Sequence, residues 1–179
     1  MAFTTVLGRR QVAFFSRKRA ELAILACMNA IYFFSYFQRV AVPGTIFNEL
    51  QMEFHVSARA VAGLGAIFLY IYGSMQLFAG LMSDRFGALK VLLSGGLLLA
   101  AGSLLFPLAS TIHVLYAGQI LIGFGASLIY LSVVKALDML FGNRHFTPLL
   151  SISLFCGTAG GLFGTLPFER AVSAWSWRP

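Results

Sequence analysis

Four polar side chains recur along one early apolar run: Asn29, Tyr32, Tyr36 and Arg39, at spacings of three, four and three residues. That spacing lines them up on one face of a helix. An amide, two phenols and a guanidinium on one face bind rather than react: the first three exchange hydrogen bonds, and a guanidinium grips a carboxylate or phosphate with two parallel bonds. Arg39 is the one base that must lie within this apolar segment, where a charge is expensive unless it faces water, a partner or a ligand. Two readings stand for it. It either contacts a solute or snorkels to the outer interface, since Pro43 is only one turn away. A later run adds Tyr70, Tyr72 and Gln76. Gln76 follows Tyr72 by four and shares its face, whereas Tyr70 lies on a different stripe leading through Gly73 toward Gly80. Aromatic residues inside such runs more often pack than bind.

Other chemistry has little support. His55, His113 and His145 fall near different surfaces and make no metal or general-base cluster. Gly123-Phe124-Gly125 and Gly63-Leu64-Gly65 look like pieces of a nucleotide motif but follow no strand, so they read as helix glycines. Cys27 and Cys156 make neither a disulfide framework nor a metal spacing. No enzyme, cofactor or metal is indicated.

The elements that carry these residues follow from composition. Of 179 residues, 59% are hydrophobic and 11% charged, against about 45–50% and about 25% in soluble proteins. With a mean hydropathy of +0.83, the solvent for most of the chain must be lipid. A span takes about 20 apolar residues, and five runs qualify: 22–42, 60–82, 91–109, 114–137 and 148–168. Residues 1–21 then form a basic tail, 22–168 the five-span part, and 169–179 a polar loop with Trp175 and Trp177 suited to a membrane interface.

The net charge of +7 would suggest nucleic acid in a soluble protein. Here the bases lie between apolar runs and set orientation instead, so nucleic acid is set aside and the bilayer is the first partner. One side collects Arg9, Arg10, Arg17, Lys18, Arg19, Arg85, Lys90, Lys135 and Arg144, and the other only Arg59, Arg170 and Arg178. The expectation is a multi-pass protein of the cell (inner) membrane with its N-terminus in the cytoplasm, the Asp84 loop inside and the Glu49 loop outside.

The connection after the second run reads Gly80-Leu81-Met82-Ser83-Asp84-Arg85-Phe86-Gly87-Ala88-Leu89-Lys90. An aspartate at a helix C-terminus opposes the macrodipole and needs a compensating partner. Arg85 is adjacent, but a neighbouring helix N-terminus would serve better. Gly80 removes a side chain where helices approach, and Gly87 permits a tight turn. This string in this place resembles the signature loop of the major facilitator superfamily of secondary transporters, in which the acid and base pair around the cytoplasmic gate. Gly80, Asp84, Arg85 and Gly87 match position for position. The family's two bases after the second glycine are Ala88 and Leu89 here, with Lys90 one place later. The resemblance continues into the fourth run, Gly118-Gln119-Ile120-Leu121-Ile122-Gly123-Phe124-Gly125. Many members, especially proton-coupled exporters, carry an arginine where Gln119 stands. Proton coupling therefore does not transfer and the coupling ion stays open, although Gln119 can still donate hydrogen bonds into a cavity. Ser176-Trp177-Arg178 resembles the G-W-R before the family's sixth span, with Ser176 in place of glycine.

Two further patterns concern packing. Ser153, Gly157, Gly160 and Gly164 recur at four, three and four in the fifth run, a face for close helix approach rather than an exchange signature, because Thr165 and Leu166 separate Gly164 from Pro167. Lys135 and Asp138, three apart, can pair on one face as a gate or interface pair.

The resemblance implies an all-α polytopic membrane protein whose five helices are the first five spans of an N-terminal six-span bundle. Such transporters join two bundles built from inverted repeats, with the solute between them near mid-membrane. The implied function is secondary transport by alternating access without a cofactor. Arg39 with Tyr32 and Tyr36 favours an anionic or zwitterionic small solute: an organic acid, amino acid, short peptide or sugar derivative. On this view the chain is a fragment or truncated frame of a larger transporter, and its missing partner is the C-terminal bundle of the same protein. The alternative is a five-span membrane protein that binds or regulates a membrane partner through its glycine faces.

Overall fold

The computed structural model describes the backbone of residues 2–175 and 177 and the side chains of 19–142, 145–175 and 177. No strand occurs among the described residues. Five helices are long and apolar enough to cross a membrane: span 1 (Arg19–Thr45), span 2 (Ala58–Phe86), span 3 (Ala88–Leu108), span 4 (Ile112–Gly142) and span 5 (His145–Trp175). Lipid offers the backbone no hydrogen bonds, so apolar runs of this length close their own as helices. Each of the five runs expected from hydropathy falls on one of these spans, with ends displaced by one to seven residues.

The spans start and stop for local reasons. Span 1 is interrupted at Val42 (φ −125°, ψ 125°), immediately before Pro43, which has no N–H to continue the ladder. Span 2 begins on Ser57, whose hydroxyl accepts from the Ala60 N–H at 3.3 Å, an N-cap. It ends at Gly87, where φ of +91° suits a residue without a Cβ. Gly142 does the same between spans 4 and 5 (φ +64°).

The structure departs from the sequence expectation in three connections. The basic tail is continuous with span 1, in one helix from Ala2 to Val40. The polar stretch after Pro43 contains a short helix, Phe47–Phe54, that buries Leu50. The loop expected from 169 onward is helical through Trp175, as part of Leu166–Trp175, with Val172 buried. Averaged hydropathy misses short amphipathic helices, because their polar faces cancel their apolar ones. Ser176 and Arg178, and the side chains of Arg9, Arg10, Arg17, Lys18 and Arg144, lie outside the described residues.

Span 4 is the central helix. In its most apolar stretch 61% of residues are buried, against 17 to 33% in the other spans. Apolar burial does not drive helices together inside lipid, so close approach at small residues must. Gly125 of span 4 meets the backbone of span 3, where a Cβ would stand 2.5 Å from the Gly95 oxygen and 2.6 Å from the Leu99 nitrogen. A second crossing pairs Gly102 with Gly118, a Cβ on Gly102 falling 2.7 Å from the Gly118 oxygen. On the other flank, span 5 lies on span 1 through the face read from its glycines: Gly157 against the Tyr32 ring, Gly160 against the Phe33 carbonyl and Gly164 against the Phe37 carbonyl. Span 2 is tied to span 4 by hydrogen bonds. Tyr116 Oη donates to the Ala60 carbonyl at 2.8 Å, and the Ser83 and Ser132 hydroxyls bond at 2.8 Å.

Candidate functional site

Spans 1, 2 and 4 bring their polar aromatic residues to one face. Tyr32 is buried, edge-on to Tyr36 with ring centroids 5.1 Å apart. On its other side it stacks with Tyr130 of span 4 at 6.0 Å. The Arg39 guanidinium lies 5.9 Å from the Tyr36 ring centre and 5.3 Å from that of Tyr72 in span 2, both within cation–π range. Tyr72 in turn stacks on Phe68 at 5.7 Å, and its hydroxyl accepts from Gln76 Nε2 at 2.9 Å. Arg39 is therefore held between two rings from different helices, and Gln76 fixes the second of them. Among the described residues no carboxylate lies in ion-pair contact with Arg39.

Tyr32, Tyr36 and Arg39 share a face of span 1, and Gln76 of span 2 reaches them through Tyr72. Tyr72 joins them, while Tyr70 is 73% exposed on the other stripe. Asn29 lies one turn further along span 1, its Oδ1 buried without a hydrogen-bond partner. Gln119 is buried and donates from Nε2 to the Val42 carbonyl at 3.3 Å, one of the acceptors released where span 1 is interrupted. Gln119→Leu would leave that carbonyl unsatisfied in a buried setting, at a cost of about 1–3 kcal/mol. The expected result is a lower thermal midpoint in detergent with an unchanged KM for solute. Tyr130 has no partner at helical spacing that would single it out; only the packing of span 4 on span 1 brings it in.

A second polar group forms at the other end of spans 2 and 4. Lys135 Nζ pairs with Asp84 Oδ1 at 2.5 Å and also donates to the Gly80 carbonyl at 2.8 Å. Lys135 therefore serves the C-terminus of span 2 rather than Asp138 on its own helix. A cation there meets both the aspartate and the free carbonyls of the macrodipole's negative end, which is the compensation Asp84 needs. Arg85 instead lies over the Phe86 ring at 5.5 Å, and Lys90 is exposed. Gly87 makes the expected turn, with its N–H donating to the Ser83 carbonyl at 3.1 Å. Gly80 has open space where a Cβ would stand, so within this chain it admits no neighbouring helix.

A groove of about 510 Å³ runs along the opposite face of span 1, against span 3, lined by Cys27, Ile31, Phe34, Phe37, Leu97 and Ala100 among others. It has no charged residue and offers a polar solute almost nothing.

Comparison with known proteins bears on most of the chain. Monocarboxylate transporter 7 of Homo sapiens is 27% identical over 132 residues, covering 73% of this chain and 24% of that protein. Solute carrier family 2, facilitated glucose transporter member 10 of Mus musculus is 28% identical over 160 residues, covering 89% and 30%. The probable sulfoacetate transporter SauU of Cupriavidus necator is 28% identical over 111 residues, covering 61% and 25%. The chain thus spans between 24 and 30% of the length of these curated relatives. The family model described as Major Facilitator Superfamily matches residues 28–179. An agreement of that extent, over all five membrane-crossing helices, makes this chain a member of the Major Facilitator Superfamily.

Proposed function

We propose that the chain is the N-terminal part of a secondary transporter that carries a small solute with an anionic group by alternating access. The observation that carries this reading is Arg39, an arginine within a membrane span that rests on Tyr36 and Tyr72 with no carboxylate partner among the described residues. A membrane-embedded charge calls for a ligand, water or a counter-ion, and a guanidinium fork matches a carboxylate or sulfonate. Two of the relatives named above are named for anionic cargo, monocarboxylate and sulfoacetate, and one for glucose. Arg39 favours the anionic pair. The alternative of a five-span regulator is not favoured, since these relatives are transporters and a regulator has no use for a polar aromatic face.

In this reading the excess of Lys and Arg puts the Asp84 end in the cytoplasm. The solute acts through its differential affinity for the two facing states. The test is uptake by the full gene product in membrane vesicles, with a small carboxylate, a small sulfonate and a neutral hexose. Uptake of the anions with no competition from the hexose is expected; hexose uptake equal to that of the anions would overturn the anionic assignment.

Asp84 and Lys135 are proposed as a latch that favours the state in which the cytoplasmic end is closed. Their pair is partly exposed, so it is worth about 1 kcal/mol at most, which corresponds to about fivefold in a population. Asp84→Asn is expected to slow turnover about fivefold by that arithmetic and to leave solute binding nearly unchanged. Weakened binding with normal turnover would count against a latch.

A further inference from the structure

Among the described residues two interior polar atoms lack a hydrogen-bond partner, Asn29 Oδ1 and Ser153 Oγ, and Ser153 is only 1% exposed. Inside a membrane span such a group forgoes a bond that neither lipid nor bulk water can replace. The two lie within about one helical turn of each other along the bundle. Span 5 runs parallel to span 1, Gly157 meeting Tyr32, Gly160 meeting Phe33 and Gly164 meeting Phe37, at offsets of 125 to 127 residues. Ser153 is one turn before Gly157, and Met28 is one turn before Tyr32. By those offsets Ser153 comes level with residues 26–28, within about one helical turn of Asn29, on the side of span 5 that its glycines turn toward span 1.

Tyr32 separates this layer from Arg39. Its ring is 2% exposed, held by Tyr36, Tyr130 and the bare backbone of Gly157. Asn29 is about 4.5 Å of helix rise from Tyr32 and about 15 Å from Arg39. The two levels are therefore too far apart for one small molecule to touch both at once.

We propose that Asn29 and Ser153 form a second, uncharged hydrogen-bonding station for the solute, on the Asp84 side of Tyr32, with the Tyr32 ring as the partition between the stations. The proposal rests on the transport reading above and narrows its solute. An amide oxygen awaiting a donor selects a solute that carries a hydroxyl or N–H group besides its anionic group, such as a hydroxy acid or amino acid, over a plain alkyl carboxylate.

The test uses the full gene product in vesicles and two probes, a 2-hydroxy carboxylate and its deoxy analogue. Wild-type protein is expected to prefer the hydroxylated probe by about tenfold in kcat/KM, in line with one buried hydrogen bond. In Asn29→Leu and in Ser153→Ala the preference should fall toward one while uptake of the deoxy analogue persists. A preference that both variants retain, or that wild type never shows, overturns the station. In parallel, Ser153→Cys is placed in a background with Cys27 and Cys156 replaced by alanine and treated with a small hydrophilic thiol reagent during turnover. Labelling that the hydroxylated probe slows supports the station. No labelling means dry packing, and labelling that the probe does not slow means a water-filled layer only; either result overturns it. Failure of the underlying transport reading looks different, because then neither carboxylate enters the vesicles in any variant.

Discussion

Arg39→Ala is expected to lower uptake of an anionic solute by two orders of magnitude or more, with membrane insertion and abundance unchanged. Two charge-assisted bonds from a guanidinium to a carboxylate are worth about 1.5–3 kcal/mol each, and every 1.4 kcal/mol is about tenfold in affinity. Folding should be indifferent, because the Arg39 side chain is exposed and rests on the Tyr36 and Tyr72 rings. Arg39→Lys separates charge from shape: an ammonium keeps the attraction but loses the planar fork and the stacking on two rings, so uptake should recover only in part. Initial rates for the three proteins, normalised to protein in the membrane, decide the matter. Undiminished transport in the alanine variant would remove Arg39 from the solute path.

Gly125→Leu should prevent the bundle from assembling. A Cβ at this position would stand 2.5 Å from the Gly95 oxygen and 2.6 Å from the Leu99 nitrogen, and backbone atoms cannot move aside as a side-chain tip can. Spans 3 and 4 would have to part along their crossing, which also holds Gly102 against Gly118. The expected cost is about 3 kcal/mol or more, read as loss of a monodisperse peak and of a measurable thermal midpoint in detergent. Gly73→Leu is the matched control, because a Cβ there has nothing within 4 Å. A normal midpoint for Gly125→Leu would show that the two helices do not touch at this point.

How much of this could be read from the residues alone depends on whether the interaction is local. Hydropathy locates five spans because each span satisfies its own backbone, and the Gly87 turn is a property of one residue. The Gly157, Gly160 and Gly164 face and the Tyr72 and Gln76 pair follow from helical spacing on a single element. Lys135 is the instructive case. Spacing offers it Asp138 three residues away, but the stronger site is the end of a different helix, where Asp84 and the Gly80 carbonyl converge. Tyr130, and the partner of Gln119, were illegible for the same reason, since Tyr32 and Val42 are about one hundred and about eighty residues distant from them and only the central position of span 4 unites them. The short helices Phe47–Phe54 and Leu166–Trp175 escape notice because mean hydropathy discards the moment that defines an amphipathic turn.

The glycine crossings separate what the bundle needs in order to stand from what its polar face can become. Tyr36, Arg39, Tyr72 and Gln76 are not among the atoms that press on the crossings of span 4, nor on Gly160 or Gly164. On the proposed transport reading, drift at Arg39 and Gln76, which lie outside the packed core, can therefore retune cargo while the scaffold stays intact, and a lineage could change its solute without passing through unstable ancestors. Tyr32 is the exception, since its ring fills the space left by Gly157. Tyr32 and Gly157 are bound to vary together, and a survey of descendants should find the two changing as a pair.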